Sequence, residues 1–227
     1  MTIKAVVFDL DGTLAEFNLE YKTVRAEAAH FLINQGLPAS IFSINESVFE
    51  MLKKAKVYMQ NNDKTEREFL AIHRQVLSIA SKHELNAARE TSILPGVFET
   101  LKALRNMRLK LAIFTINSGK STDYILDNFR LKKFFDAIVT REEALKVKPD
   151  PSHLAIVLEA LGVNADEVVV VGDSVVDMGS AKALNATAVG ITADNGKVRE
   201  LNHAGATHMI KSITDLPTLI AQLNNKP

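Results

Sequence analysis

The sequence predicts an α/β protein: a three-layer α/β/α core around a mostly parallel sheet, with a helical bundle inserted after the first strand. Three observations predict it. Ala5-Val6-Val7-Phe8 is an unbroken apolar run closed by Asp9-Leu10-Asp11-Gly12-Thr13, the pattern of a strand buried on both faces that ends in a turn. Between Glu16 and Glu90 Gly and Pro almost vanish, and apolar residues recur at helical spacing. From Leu94 onward strand-length apolar runs alternate with helical segments, which implies right-handed crossovers between parallel strands.

Each element has its own signal. In the inserted stretch Val24, Ala28, Phe31 and Leu32 share one helix face, and Asn34-Gln35-Gly36-Leu37-Pro38 is a stop. Ile44, Val48, Met51, Leu52 and Ala55 share a second face; Phe69, Ile72, Val76, Ile79 and Ala80 share a third, after the break at Asn61-Asn62-Asp63. Leu94-Pro95-Gly96 opens a helix through Leu104, a strand spans Leu109 to Thr115, and a helix runs from Lys120 to Phe129. Phe135 to Thr140 is a strand, and Pro151 to Leu161 is a helix with Pro in its first turn and Gly162 after its end. Val168-Val169-Val170-Val171 forces a buried strand over Glu167 to Gly172, followed by a helix through Leu184. Strands at Thr187 to Ile191 and His208 to Ile210, then a helix from Ile213 to Leu223, complete the chain. The implied organisation is a core of residues 1–15 and 91–227, with 16–90 as the helical insertion. No repeat, low-complexity tract or long linker interrupts it.

Composition narrows the function classes. The 227 residues suffice for a sizeable core. Lys plus Arg equals Asp plus Glu at 27 each, so no global field favours nucleic acid or an anionic membrane. Without cysteine there is no disulfide framework, thiolate metal site or cysteine nucleophile. No signal peptide or transmembrane run is legible, and a cytoplasmic protein, monomer or homodimer, is expected.

Chemistry gathers at the strand ends. Asp9 and Asp11 close a central strand, where open α/β sheets place their ligands. Two carboxylates at 4 Å repel by about 4 kcal/mol at an effective dielectric near 20, which a cation or a proton relieves. Asp9-Leu10-Asp11-Gly12-Thr13 resembles the first motif of the haloacid dehalogenase superfamily, most of whose members are Mg²⁺-dependent phosphatases. The other expected parts follow in order. Phe114-Thr115-Ile116-Asn117-Ser118 leaves a strand for a helix N-terminus, a site suited to anions. It resembles the second motif, a Ser or Thr that binds phosphoryl oxygen, although Ile116 stands where many members have Asn and Asn117 comes one later. Taken alone, Thr115 and Ser118 read equally well as strand-end and cap residues. Lys148, directly before Pro149, resembles the third motif; the proline restricts its backbone and helps aim the side chain, whereas Lys146 reads as solvent-exposed. Val171-Gly172-Asp173-Ser174-Val175-Val176-Asp177 resembles the fourth motif, with Asp173 and Asp177 able to face one point.

The resemblance implies a Rossmann-like core, a helical cap at 16–90 and a set of roles. Asp9 is the implied nucleophile, forming an aspartyl-phosphate, and Asp11 the general acid and base. Mg²⁺ would be held by Asp9, the Asp11 carbonyl, Asp173 and Asp177. Lys148, Thr115, Asn117 and backbone N–H groups at Gly12 and Ile116 would cradle the phosphate. The acidic residue at Asp11 argues for phosphoryl transfer over dehalogenation, since a halide needs no proton. A β-phosphoglucomutase-type phosphomutase shares all four motifs. A receiver-type phosphoacceptor module shares the acidic cluster, but not the helical insertion. Gly119-Lys120-Ser121 lacks the upstream glycine of a P-loop, no Gly-x-Ser-x-Gly surrounds Ser174, and no His-Glu-x-x-His occurs. The expected substrate is a small phosphomonoester. Ala15-Glu16-Phe17 departs from the Asp then Ser or Thr of many phosphoglycolate phosphatase-like members, so no named substrate transfers. Lys22 and Arg25 could meet a substrate carboxylate or second phosphate, but solvated helix surface is the commoner role for such cations.

Overall fold

A computed structural model describes residues 2–144 and 146–225. Strand β1 (Ala5–Phe8) is buried throughout, as its apolar run requires. A two-residue strand β2 (Ala15–Glu16) follows the Asp-Gly-Thr turn. Helices α1 (Tyr21–Asn34), α2 (Val48–Asn61) and α3 (Glu66–Arg89) come next. Then β3 (Ser92–Ile93) pairs antiparallel with β2, a contact that no local pattern encodes.

Backbone packing divides the chain into two units, Met1–Phe17 with Thr91–Pro227 and Asn18–Glu90. The helical unit has its own core, in which Val24, Ala28 and Leu32 meet Met51, Leu52, Ala55, Phe69, Val76 and Ala80. Ile44 is a correction: it precedes α2 and is 45% exposed. Ser47 and Glu50 form a reciprocal capping box that starts the helix at Val48, leaving Ile44 in the preceding turn. Thr65 and Glu68 start α3 in the same way.

The larger unit continues through α4 (Val97–Asn106), β4 (Lys110–Phe114), α5 (Gly119–Asn128) and β5 (Ala137–Val139). Helix α6 (Pro151–Leu161) ends at Gly162 in a left-handed cap. Then come β6 (Val168–Gly172), α7 (Val175–Ala183), β7 (Thr187–Ile191), α8 (Asn195–Ala204), β8 (His208–Ile210) and α9 (Leu216–Asn224). The last helix begins three residues later than expected, because Ile213–Asp215 forms a 3-10 turn capped by Ser212. Helix α8 carries no strong apolar stripe, and only Leu201 is buried, so periodicity missed it.

Six strands form one parallel sheet in the order β5-β4-β1-β6-β7-β8. Apart from Lys110 at the start of β4, the residues on both sides of β1, β4 and β6 are buried, so helices cover both faces. One face is built from Ala5, Val7, Ala112, Phe114, Val168 and Val170 against Leu154, Val157 and Met178. With β1 between β4 and β6, the residues after all three strands emerge side by side at one edge.

Candidate active site

Asp9 leaves β1 with its N–H donating to the Val171 carbonyl at 2.9 Å, so the last ladder bond of the central strand sets the carboxylate. Asp9 is only 6% exposed. The Lys148 ammonium donates to Asp9 Oδ1 at 2.6 Å and to Asp177 Oδ1 at 2.7 Å, and it lies 4.2 Å from the centre of the Phe114 ring. Asp177, fully buried in the first turn of α7, is fixed from the other side: its Oδ2 accepts from the Ser174 N–H at 3.1 Å and from the Ser174 hydroxyl. Ser174 is thus the N-cap, and Asp177 closes its capping box.

One oxygen from each of Asp9, Asp173 and Asp177 lies within 4.8 Å of the others. Burial, then the Asp177 charge, pushes the Asp9 carboxyl up to about 7, even though Lys148 pulls the other way. Burial opposes the charge on Lys148, but the attraction of Asp177 and Asp9 outweighs it and holds the lysine above its ordinary range. Beneath Lys148, burial and the lysine charge push His153 down to about 4, so a neutral ring packs there.

Hard carboxylate oxygens in this number and spacing suit a divalent ion of the Mg²⁺ type. The backbone supports that fit. Gly12 has φ +71, and a Cβ there would stand 2.5 Å from Asp173 Oδ2; a Cβ on Gly172 would stand 2.4 Å from Asp177 Oδ2. Both glycines let main chain press against the carboxylates that form the cluster. Gly12→Ala should lower unfolding free energy by roughly 1–2 kcal/mol through its left-handed backbone and displace Asp173. Urea denaturation and a Mg²⁺ titration would show both effects, and an unchanged Mg²⁺ affinity would contradict the second.

The remaining sequence candidates lie at the same edge. Asn117 Nδ2 donates to Asp11 Oδ1 at 2.9 Å, and the Asn117 N–H donates to Thr115 Oγ1 at 3.2 Å. Asp11, Asn117 and Thr115 are therefore linked, while the Asp11 carboxylate stays outside the three-carboxylate cluster. The Ile116 carbonyl accepts from Arg141 at 3.0 Å. Lys146 is exposed and pairs with Asp150, at 3.5 Å.

A model of haloacid dehalogenase-like hydrolases matches residues 6–191. The chain belongs to that family. Among its relatives is a phosphoglycolate phosphatase of Pseudomonas savastanoi, 29% identical over 195 residues, covering 83% of this chain and 69% of the relative. Another is the pyrophosphatase PpaX of Halalkalibacterium halodurans, 29% identical over 227 residues, covering 97% and 98%. The fold matches a hydrolase from Pseudomonas syringae with a TM-score of 0.65 at 23% identity, over 97% and 99% of the two chains. The chain is thus a hydrolase of the phosphoglycolate phosphatase-like branch.

In this haloacid dehalogenase-like hydrolase, sequence reasoning missed two basic residues. Lys197, in the first turn of α8, donates to Asp173 Oδ2 at 2.6 Å. Arg141, only 5% exposed, braces the loop after β4 through Ile116. Neither has a local signal, since each is a single cation after an ordinary strand or within a polar helix.

Proposed function

We propose that this chain is a Mg²⁺-dependent phosphatase that hydrolyses a small phosphomonoester through an aspartyl-phosphate on Asp9. The observation that carries the reading is the convergence of Asp9, Asp173 and Asp177 beside the buried Lys148. The names of the relatives, phosphoglycolate phosphatase and pyrophosphatase, support a small phosphate compound as substrate. Among the described residues no helix is long and apolar enough to cross a membrane.

Asp9, Asp173 and Asp177, with the Asp11 carbonyl, would hold Mg²⁺, which when bound offsets the carboxylate charge that would otherwise repel a phosphate dianion. Asp9 attacks phosphorus in line with the departing alcohol. Asp11 gives that alcohol its proton, then takes one from the water that cleaves the acyl phosphate. Asn117 donates to one oxygen of Asp11 and so orients that carboxyl. Lys148 keeps Asp9 in register and draws in a phosphoryl oxygen, while Thr115 and the N–H group at Ile116 are the further phosphate donors; the Gly12 N–H, expected to join them, is instead given to the Ala15 carbonyl at 2.8 Å in the turn after β1.

The test is inorganic phosphate release from a panel of phosphate esters with and without Mg²⁺. Sustained, Mg²⁺-dependent release supports the phosphatase; interconversion of sugar phosphates without release would favour a mutase. Mg²⁺ affinity should also depend on pH. The cation needs Asp9 ionised, and that carboxyl is pushed up to about 7, so below pH 7 a proton must be displaced. Affinity should fall roughly tenfold per pH unit below 7 and level off above it. Calorimetric titration from pH 5.5 to 8.5 would read this, and a flat profile would contradict it.

A further inference from the structure

We propose that Arg141 is a positioning residue for the proton transfers of Asp11, acting through Asn117. This rests on the phosphatase reading of the Asp9 site and adds the residue that aims its acid and base.

The strand order puts the three side chains in line. In the larger unit β5 lies beside β4 and β4 beside β1, so the loops after them border one another. Arg141 follows β5, Asn117 follows β4 and Asp11 follows β1. Thr115, the first residue past β4, donates its N–H to the Val139 carbonyl at 3.0 Å, which ties the loop to β5.

Beyond that bond Arg141 grips the loop twice. Its side chain, 2% exposed, donates from Nη1 to the Ile116 carbonyl at 3.0 Å, and its backbone N–H donates to the Asn117 carbonyl at 3.4 Å. Those carbonyls belong to the peptide planes on either side of the Asn117 Cα. A residue has only two soft backbone dihedrals, so holding both planes fixes them. The Ile116–Asn117 peptide is also held from its other edge, where the Asn117 N–H donates to Thr115 Oγ1 at 3.2 Å. Glu142, 3.7 Å from Arg141 Nε, accepts the Gly119 N–H at 3.0 Å and holds the downstream end of the loop. The Asn117 side chain is thereby sent to Asp11, where Nδ2 donates to Oδ1 at 2.9 Å. A guanidinium suits the role because it keeps its charge when buried, which makes its bond to a carbonyl one of the stronger, charge-assisted kind.

When the ester is cleaved, Asp9 forms its bond to phosphorus, the alcohol oxygen keeps the electron pair of the broken P–O bond, and Asp11 gives that oxygen a proton. An alkyl ester needs the proton. p-Nitrophenyl phosphate, whose phenolate is a stable leaving group, does not.

The test compares wild type and Arg141→Met on propyl phosphate and p-nitrophenyl phosphate with Mg²⁺. It reads kcat/KM, which reports the steps through departure of the alcohol. The variant should fall roughly a hundredfold on propyl phosphate and roughly tenfold or less on p-nitrophenyl phosphate, because a misplaced general acid harms only the ester that needs one. Arg141→Lys, which keeps a charged donor, should recover part of the loss. If Arg141→Met does not fold, Arg141→Lys carries the comparison, with a smaller loss tilted the same way. Independent of turnover, the Asn117 side-chain amide proton should exchange slowly with solvent in wild type and faster in the Arg141 variant, read from ¹H–¹⁵N spectra. Equal losses on the two esters, or none, overturn the positioning role and leave the phosphatase standing. Where wild type turns over only one ester or neither, amide exchange decides the link, supporting it if the variant exchanges faster and overturning it if not. Turnover of neither ester also overturns the phosphatase.

Discussion

Lys148→Met should lower the free energy of unfolding by roughly 3–5 kcal/mol at pH 8, the range for breaking a buried ion pair from one side. Methionine keeps most of the lysine stem, so the loss reports charge and not a cavity. The ammonium is the partner that Asp9 and Asp177 share, at 2.6 and 2.7 Å, and neither carboxylate is more than 6% exposed. Removing it leaves both without a counter-charge. The pH dependence separates this from simple misfolding. Even with the lysine present, Asp9 is raised from 3.8 to about 7, and without it the carboxyl moves higher. A carboxyl raised in the folded state stabilises the fold below its unfolded pKa, and that contribution is lost as pH rises through the folded value. The deficit of the variant should therefore be largest above pH 7 and shrink toward pH 5. Urea denaturation of wild type and variant across that range tests it, and a deficit independent of pH would refute the shared-counterion account.

Asp9→Asn should abolish phosphate release, by roughly 10⁴-fold or more, because the amide cannot form the acyl phosphate and uncatalysed hydrolysis of phosphomonoesters is extremely slow. The fold should survive. In the metal-free protein at pH 8, ionised Asp9 is held against burial and the charge of Asp177, so the neutral amide should be at least as stable as the acid. Thermal unfolding without Mg²⁺ should place the variant at or above wild type, while Mg²⁺ should stabilise it less. Acid quenching of wild-type turnover should trap a phosphoryl group on the peptide containing Asp9. Turnover at the wild-type rate in Asp9→Asn would eliminate the mechanism outright.

Much of the site was legible because each part sits where a local pattern changes character. The valine run into Gly172-Asp173 marks a buried strand and its tip without any knowledge of its neighbours. Ala5 to Phe8 does the same for Asp9. The fold class follows from those runs and the alternating helices, and the structure has that architecture. What was not legible depends on residues far apart in sequence. Strands β2 and β3 hold only two residues each, too few to show a period, and their partners are separated by the entire helical unit. Helix α8 is polar and begins just after Asp194, whose side chain caps it by accepting the Gly196 N–H, the one usable signal. Ile44 was assigned to a helix by spacing alone, whereas the capping box at Ser47 and Glu50 sets the start later.

The sequence by itself determined that strands of this protein end in acids, a lysine and a threonine, because strand burial and turn chemistry are written in neighbouring residues. Only the tertiary structure decided who meets whom: Lys148 bridges Asp9 and Asp177, Asn117 holds Asp11, and Lys197 reaches Asp173. Strand order sets those meetings. It is fixed by packing the whole sheet between its helices, so the side-chain pairs at the sheet edge are a property of the assembled core and of no single segment.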